Sequence, residues 1–250
     1  MGQPQIKNLL QDLKLNGMLR SFEDIFKQST KLSWTGVELL DQLLQAEFDF
    51  RESQNAERKI KNSKLIRLPA LEDFDFEFSR NMTKAQVREL YSLSWLEQSR
   101  ALIITGPTGI GKTFIAEAIG HHVCQRKKSV LFVGMSDLLE QQNIAHASGG
   151  YLKFKAKIAK YDLLILDDLG LRKLSTQEAH DFCEILKERH GNKSVIITTQ
   201  LPVKNWSEIL EDPVIADSII DRLQHTSVKI ILKGPSYREA QGKQFDTVRK

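Results

Sequence analysis

Eight residues constrain this chain more than any others. Gly106-Pro107-Thr108-Gly109-Ile110-Gly111-Lys112-Thr113 fit the pattern GxxxxGK[ST] in full. An apolar run, Ala101–Thr105, precedes them, and a helical pattern over 112–126 follows. Glycines let such a loop turn its backbone N–H groups inward, towards phosphate oxygens. The start of the next helix adds partial positive charge at the same place. In that geometry Lys112 reaches β- and γ-phosphates, and Thr113 is a ligand for magnesium. Candidate nucleotide-binding residues therefore run from Gly106 through Phe114. A glycine-rich turn without a ligand is the competing reading, and the strand and helix on either side argue against it.

The rest of the chain agrees with a strand–loop–helix unit of this kind. From Arg100 onward, expected strands at 101–105, 130–133, 163–166, 195–198 and 228–232 alternate with helical segments at 112–126, 137–143, 151–160, 176–189 and 213–223. This alternation predicts an α/β fold with a five-stranded parallel sheet covered by helices on both faces. Residues 1–64 carry no strand signal and read as a small all-helical N-terminal domain. Gly17 is a candidate stop for the first helix, and Thr35 with Glu38 forms a capping box for a later one. Val37, Leu40, Leu44 and Phe48 mark one apolar face of that later helix. Pro69 and the run Phe74–Phe78 suggest a linker over 65–80, and 81–250 is left as the core domain. Residues 83–98 return to helical spacing, with Val87, Leu90, Tyr91 and Trp95 as its apolar positions.

Composition excludes several classes. With 41% hydrophobic and 27% charged residues the chain is an ordinary globular one, and no apolar run is long enough to span a bilayer. Its N-terminus lacks an apolar signal core, so a cytoplasmic protein without membrane contact is expected. Cys124 and Cys183 form neither a CxxC nor a cluster with histidine, which argues against a disulfide framework or zinc. The net charge of +4 is compatible with nucleic acid without pointing to it.

Leu163-Leu164-Ile165-Leu166-Asp167-Asp168 is the second chemical signature. An apolar strand here delivers two carboxylates at its C-terminal end, where parallel sheets bind ligands. Asp167 is the candidate magnesium ligand, and Asp168 the candidate for orienting an attacking water. The polar tip of the strand at 195–199 supplies Thr199 and Gln200 as candidates for sensing the γ-phosphate.

Taken in order, these motifs, then Asp221-Arg222-Leu223-Gln224-His225, then Ser236-Tyr237-Arg238, resemble the IstB-like transposition helper ATPases of bacterial insertion sequences. They are also similar to DnaC-type helicase loaders, in the initiator branch of AAA+ P-loop ATPases. The resemblance spans nearly the whole chain, and Leu13–Met18 and Asp73–Phe78 look more like the transposition helpers. It implies ATP and Mg2+ as cofactors, and hydrolysis to ADP and phosphate. It further implies a homo-oligomer with ATP sites shared between subunits, double-stranded DNA as the substrate to be remodelled, and a transposase as partner. Arg222 matches the family's arginine finger, and Arg238 its sensor 2 arginine. Most AAA+ proteins have Glu where this chain has Asp168, and only twelve residues follow Arg238, so a truncated or absent C-terminal lid is expected.

Basic residues cluster at Lys153, Lys155 and Lys157 before the acidic strand and at Arg172 and Lys173 after it. These are candidates for phosphate-backbone contacts with DNA, set against a solvated helix face. Four readings stay open: a transposition helper on duplex DNA, a helicase loader on single strands, a P-loop kinase, and a DNA-bending protein that hardly turns ATP over.

Overall fold

The computed structural model describes residues 2–74 and 82–237. Contacts divide the chain into two units, Met1–Arg58 and Lys59–Lys250.

The first unit is helical. Helices α1 (Gln3–Asp12) and α2 (Asn16–Leu32) precede α3 (Gly36–Asn62), which continues past the division. Leu10, Met18 and Phe22 form its core, with Ile6, Phe26 and Leu43 packed around them. Thr35 and Glu38 cap α3 reciprocally, the Thr35 N–H donating to Glu38 Oε2 at 2.7 Å and the Glu38 N–H to Thr35 Oγ1 at 3.3 Å. Gly17 does not end a helix as its sequence context suggested. It lies in the first turn of α2, where an added Cβ would stand 2.5 Å from Ala46 O and 2.6 Å from Phe50 Cβ, so its absence lets α2 approach α3. The face of α3 turned to this contact carries Leu43 and Glu47, whereas Val37, Leu40 and Leu44 of the apolar stripe are 78%, 56% and 52% exposed.

The second unit is built on a five-stranded parallel sheet. Its strands are β1 (Leu102–Thr105), β2 (Val130–Gly134), β3 (Leu163–Leu169), β4 (Ser194–Thr199) and β5 (Val228–Ile231), in the order β2-β3-β4-β1-β5. Alternate residues of each strand face opposite layers. Ile103, Leu131, Val133, Leu164, Leu166 and Ile197 enter one core, with helices α7 (Met135–Ala147), α8 (Tyr151–Ala159), α9 (Thr176–Arg189) and α10 (Pro213–Thr226). Leu102, Ile104, Phe132, Leu163, Ile165 and Ile196 enter the other, with α4 (Lys84–Ser92), α5 (Ser94–Glu97) and α6 (Lys112–Gln125). The helical spacing over 83–98 is realised as two helices, α4 and α5. Leu93 at φ 57° turns the chain between them, and Leu90, Leu93, Trp95 and Leu96 all enter the core.

Glu47 ties α3 to the start of α2. Its Oε2 accepts the N–H groups of Gly17 and Met18 at 2.6 and 3.1 Å, and its Oε1 accepts from Arg51 at 2.6 Å. Burial opposes the charge, but the Arg51 guanidinium and the two N–H groups outweigh it and hold the carboxyl below its ordinary range. A carboxyl lowered on folding contributes stability above the pKa of the unfolded chain and loses it as pH falls through the folded value. Glu47→Ala leaves two buried donors unmet and should cost about 2–3 kcal/mol. Native-state hydrogen exchange should show the Gly17 and Met18 amides losing protection in this variant, and in the parent chain below about pH 4. Unchanged protection in the variant would remove Glu47 from this role.

Candidate functional site

The site forms where β1 passes into α6. The chain leaves the sheet at Thr105, makes the loop Gly106–Gly111 and enters the helix at Lys112. Gly109 and Gly111 adopt φ of 78° and 100°, a region costly for any residue with a Cβ. The loop is tied to the neighbouring strand by the Gly106 N–H, which donates to Thr199 O at 3.2 Å. Lys112 is buried, and its Nζ donates to Pro107 O at 2.9 Å, so the ammonium is drawn across the loop mouth. Its position, a helix N-terminus and the loop N–H groups together make an anion site.

Asp167 and Asp168 reach the same place from β3. Thr113 Oγ1 lies 3.0 Å from both carboxylate oxygens of Asp167. Burial pushes the Asp167 carboxyl above its ordinary range, and the charge of Asp168 beside it acts in the same direction, against the hydrogen bonds from Thr198 and Thr113. A buried carboxylate in that condition favours a bound cation. Among the described residues no group of three or more His, Cys, Asp or Glu could enclose a metal ion. The donors present, one carboxylate and one hydroxyl beside a phosphate cradle, fit Mg2+, which keeps several waters and takes its remaining oxygens from phosphate. Asp168 is half-buried, with its backbone at φ 58°.

Several predicted residues stand elsewhere, or are differently engaged. Thr199 is fully buried; its hydroxyl donates to Leu169 O at 2.8 Å and accepts the Leu201 N–H at 3.1 Å. Gln200, next along, is exposed at the strand tip. Arg222 lies on α10 and donates to Ser218 O at 2.6 Å and to the Ser218 hydroxyl. It lines a cavity of about 350 Å³ together with Arg100, Ala101, Arg189 and Val195. Ala101 precedes β1 and Gly106 follows it, so this cavity is at the end of the strand away from the loop, roughly 16 Å along it. Arg238 lies outside the described residues.

Of the basic candidates, Lys155 is paired with Glu184 at 3.0 Å and Glu188 at 3.1 Å. Arg172 holds Glu178 with two nitrogens, at 2.8 and 2.7 Å, and this drops the Glu178 carboxyl to about 2. Lys153, Lys157 and Lys173 are exposed. The two histidines after the loop are tied to backbone, His121 to Pro69 O and His122 to Tyr91 O, both at 3.2 Å.

Three further residues neighbour the site. Phe74 covers the loop: a Cβ on Gly111 would lie 2.8 Å from its ring, and it packs on Phe114 with ring centroids 5.9 Å apart. The Tyr237 N–H donates to Gly109 O at 3.0 Å, which brings the chain before Arg238 onto the loop. Glu117, buried on α6, accepts the N–H groups of Ile66 and Arg67 at 3.1 Å each, and burial raises its carboxyl above the ordinary range. The phenylalanine run at 74–78 hinted at the first of these and the Ser236-Tyr237-Arg238 motif at the second; a lone Glu on a helix gave no comparable signal.

The IstB-like ATP binding protein family matches residues 8–244. An insertion sequence ATP-binding protein of Sinorhizobium fredii is 35% identical over 93% of this chain and 95% of its own length. One from Mycobacterium tuberculosis is 34% identical over 94% of each. The ATP-binding protein of insertion sequence IS21 from Pseudomonas aeruginosa is 31% identical over 94% of this chain and 88% of its own. Among solved structures, DnaI superposes with a TM-score of 0.58 at 22% identity over 68% of this chain and 93% of that one. AMPPCP-bound DnaA from Aquifex aeolicus gives 0.58 at 18% identity, over 74% and 56%. These two likenesses concern the fold. No helix among the described residues is long and apolar enough to cross a membrane.

Lys112→Ala should weaken ATP binding roughly 10- to 100-fold, the loss of a buried charge-assisted hydrogen bond. Titration of a fluorescent ATP analogue measures this. Equal affinity in parent and variant would mean that the ammonium does not touch the nucleotide.

Proposed function

The chain belongs to the family of IstB-like ATP-binding proteins of insertion sequences, and from that premise we propose that it is the ATP-dependent helper of a transposase. It assembles as a homo-oligomer on double-stranded target DNA, bends or remodels that DNA, and recruits the transposase. ATP with Mg2+ joins neighbouring subunits, and hydrolysis to ADP and phosphate releases them. In this proposal a helical domain over 1–64 makes partner, DNA or subunit contacts, 65–80 is a linker, and 81–250 is the ATPase domain.

In this reading the residues act as follows. Loop N–H groups and Lys112 hold the β- and γ-phosphates. Thr113 and Asp167 hold the cation, which neutralises phosphate charge. Asp168 orients the attacking water, with Gln200 at the strand tip beside the γ-phosphate. Arg238 reaches phosphate within the subunit. Lys153, Lys157 and Lys173 contact the DNA backbone; Lys155 and Arg172 would first have to exchange their carboxylate partners for phosphate.

The observation that carries the shared site is the place of Arg222. Its cavity lies at the end of β1 away from the loop, further than an arginine side chain reaches, so its guanidinium suits a phosphate on another subunit. A planar cation there stabilises charge on the transferred phosphoryl group.

Particle size should be measured on duplex and on single-stranded DNA, with ATP and with ADP. Large assemblies are expected on duplex with ATP only, and they should persist in Asp168→Asn, in which release is blocked. Assembly on single strands alone would replace this reading with that of a helicase loader. Arg222→Ala should lower DNA-stimulated phosphate release by about a thousandfold. Mixing it with Lys112→Ala should restore part of the rate, because each supplies what the other lacks. A mixture as inactive as its components would rule out the shared site.

A further inference from the structure

The two carboxylates of the site stand opposite one residue. Along β3 and β4 the register pairs Leu166 with Ile197 and then Leu169 with Thr199. Asp167 and Asp168 therefore face Thr198 together, which is a β-bulge, a rare feature between parallel strands. The bulge places Asp168 at φ 58°, a left-handed conformation that a non-glycine residue holds only when its surroundings enforce it.

Thr198 is fully buried, and its hydroxyl serves both acids. Oγ1 donates to Asp167 Oδ1 at 2.5 Å and accepts the Asp168 N–H at 2.9 Å. The second bond gives the bulged residue a partner for its N–H. The first, with the hydroxyl of Thr113, fixes the rotation of the Asp167 carboxylate.

We propose that Thr198 is the positioning residue of this site: its one hydroxyl sets the Asp167 carboxylate for the cation and holds Asp168 in the bulge that aims its side chain. Thr199 and Gln200, the candidates from the sequence, carry the polar signal at the strand tip, but the contact with the acids is made one residue earlier. The proposal rests on the reading of this site as one for ATP and Mg2+.

Thr198→Val keeps the shape and removes the hydroxyl; Thr198→Ser keeps the hydroxyl. Binding of a fluorescent ATP analogue by the full chain should be titrated with Mg2+ and repeated in EDTA, alongside steady-state phosphate release. Thr198→Val should need about tenfold more Mg2+ for half-saturation, the usual cost of losing a group that orients a metal ligand. Its binding in EDTA should match the parent, its kcat should fall more than its KM rises, and Thr198→Ser should restore both. An unchanged Mg2+ requirement in Thr198→Val overturns the proposal, as does an equal loss in EDTA or a failure of Ser to rescue. If Val does not fold, Thr198→Ala replaces it; if neither folds, the hydroxyl serves the sheet and the proposal is wrong. A parent chain that gains nothing from Mg2+ would instead overturn the reading of the site itself.

Discussion

The turn from β1 into α6 has to present unpaired backbone N–H groups while other segments close over it. Gly109 and Gly111 meet the first demand with φ of 78° and 100°. They meet the second by lacking a Cβ: Phe74 lies where one on Gly111 would project, and Ser236 where one on Gly109 would. The phosphate loop is thus also the meeting point of two segments distant in sequence, one before the sheet and one after it. Its orientation is fixed from a third side by the Gly106 N–H bonded to Thr199 O. A side chain at either glycine would strain the backbone and displace a neighbouring segment at the same time.

Charge is managed beside the loop by burial and hydroxyls. Asp167 is 8% exposed, and two threonine hydroxyls from different elements orient it. Neither hydroxyl neutralises it, and Asp168 adds like charge. The pair is therefore poor at holding its charge alone and good at holding a small divalent cation. Lys112 donates to a backbone carbonyl within the loop, and its charge acts on Asp167 against the burial that raises that carboxyl.

Much of this was legible in the chain. A parallel sheet buried on both faces must be apolar throughout its strands, and Leu163-Leu164-Ile165-Leu166 and Val195-Ile196-Ile197 have that form. Fixed spacing made the phosphate loop legible, since its geometry depends on which residues lack a Cβ. The missed features depend on pairing between distant strands or helices. Nothing in Asp167-Asp168 announces a bulge, because a bulge is a mismatch of register with β4 and not a property of β3. Helical spacing correctly grouped Val37, Leu40 and Leu44 on one face, but could not say that α2 would meet the neighbouring face through Gly17 and Glu47. Gly17 itself was ambiguous for the same reason: a glycine that ends a helix and one that admits a neighbour look alike in sequence.

The short strands of the sheet connect these local matters to assembly. β1 has four residues, and its two ends carry different chemistry: the phosphate loop at one, and the basic cavity with Arg222 at the other. A single subunit cannot fold one end onto the other, because the Leu102, Ile103 and Ile104 side chains between them are locked into the cores on the two faces of the sheet. In the proposed oligomer that rigidity is what makes nucleotide state legible across a junction. A γ-phosphate bridging the loop of one subunit to the guanidinium of the next is bound by two bodies that cannot compensate for its loss by bending. Removing it must then loosen the junction itself.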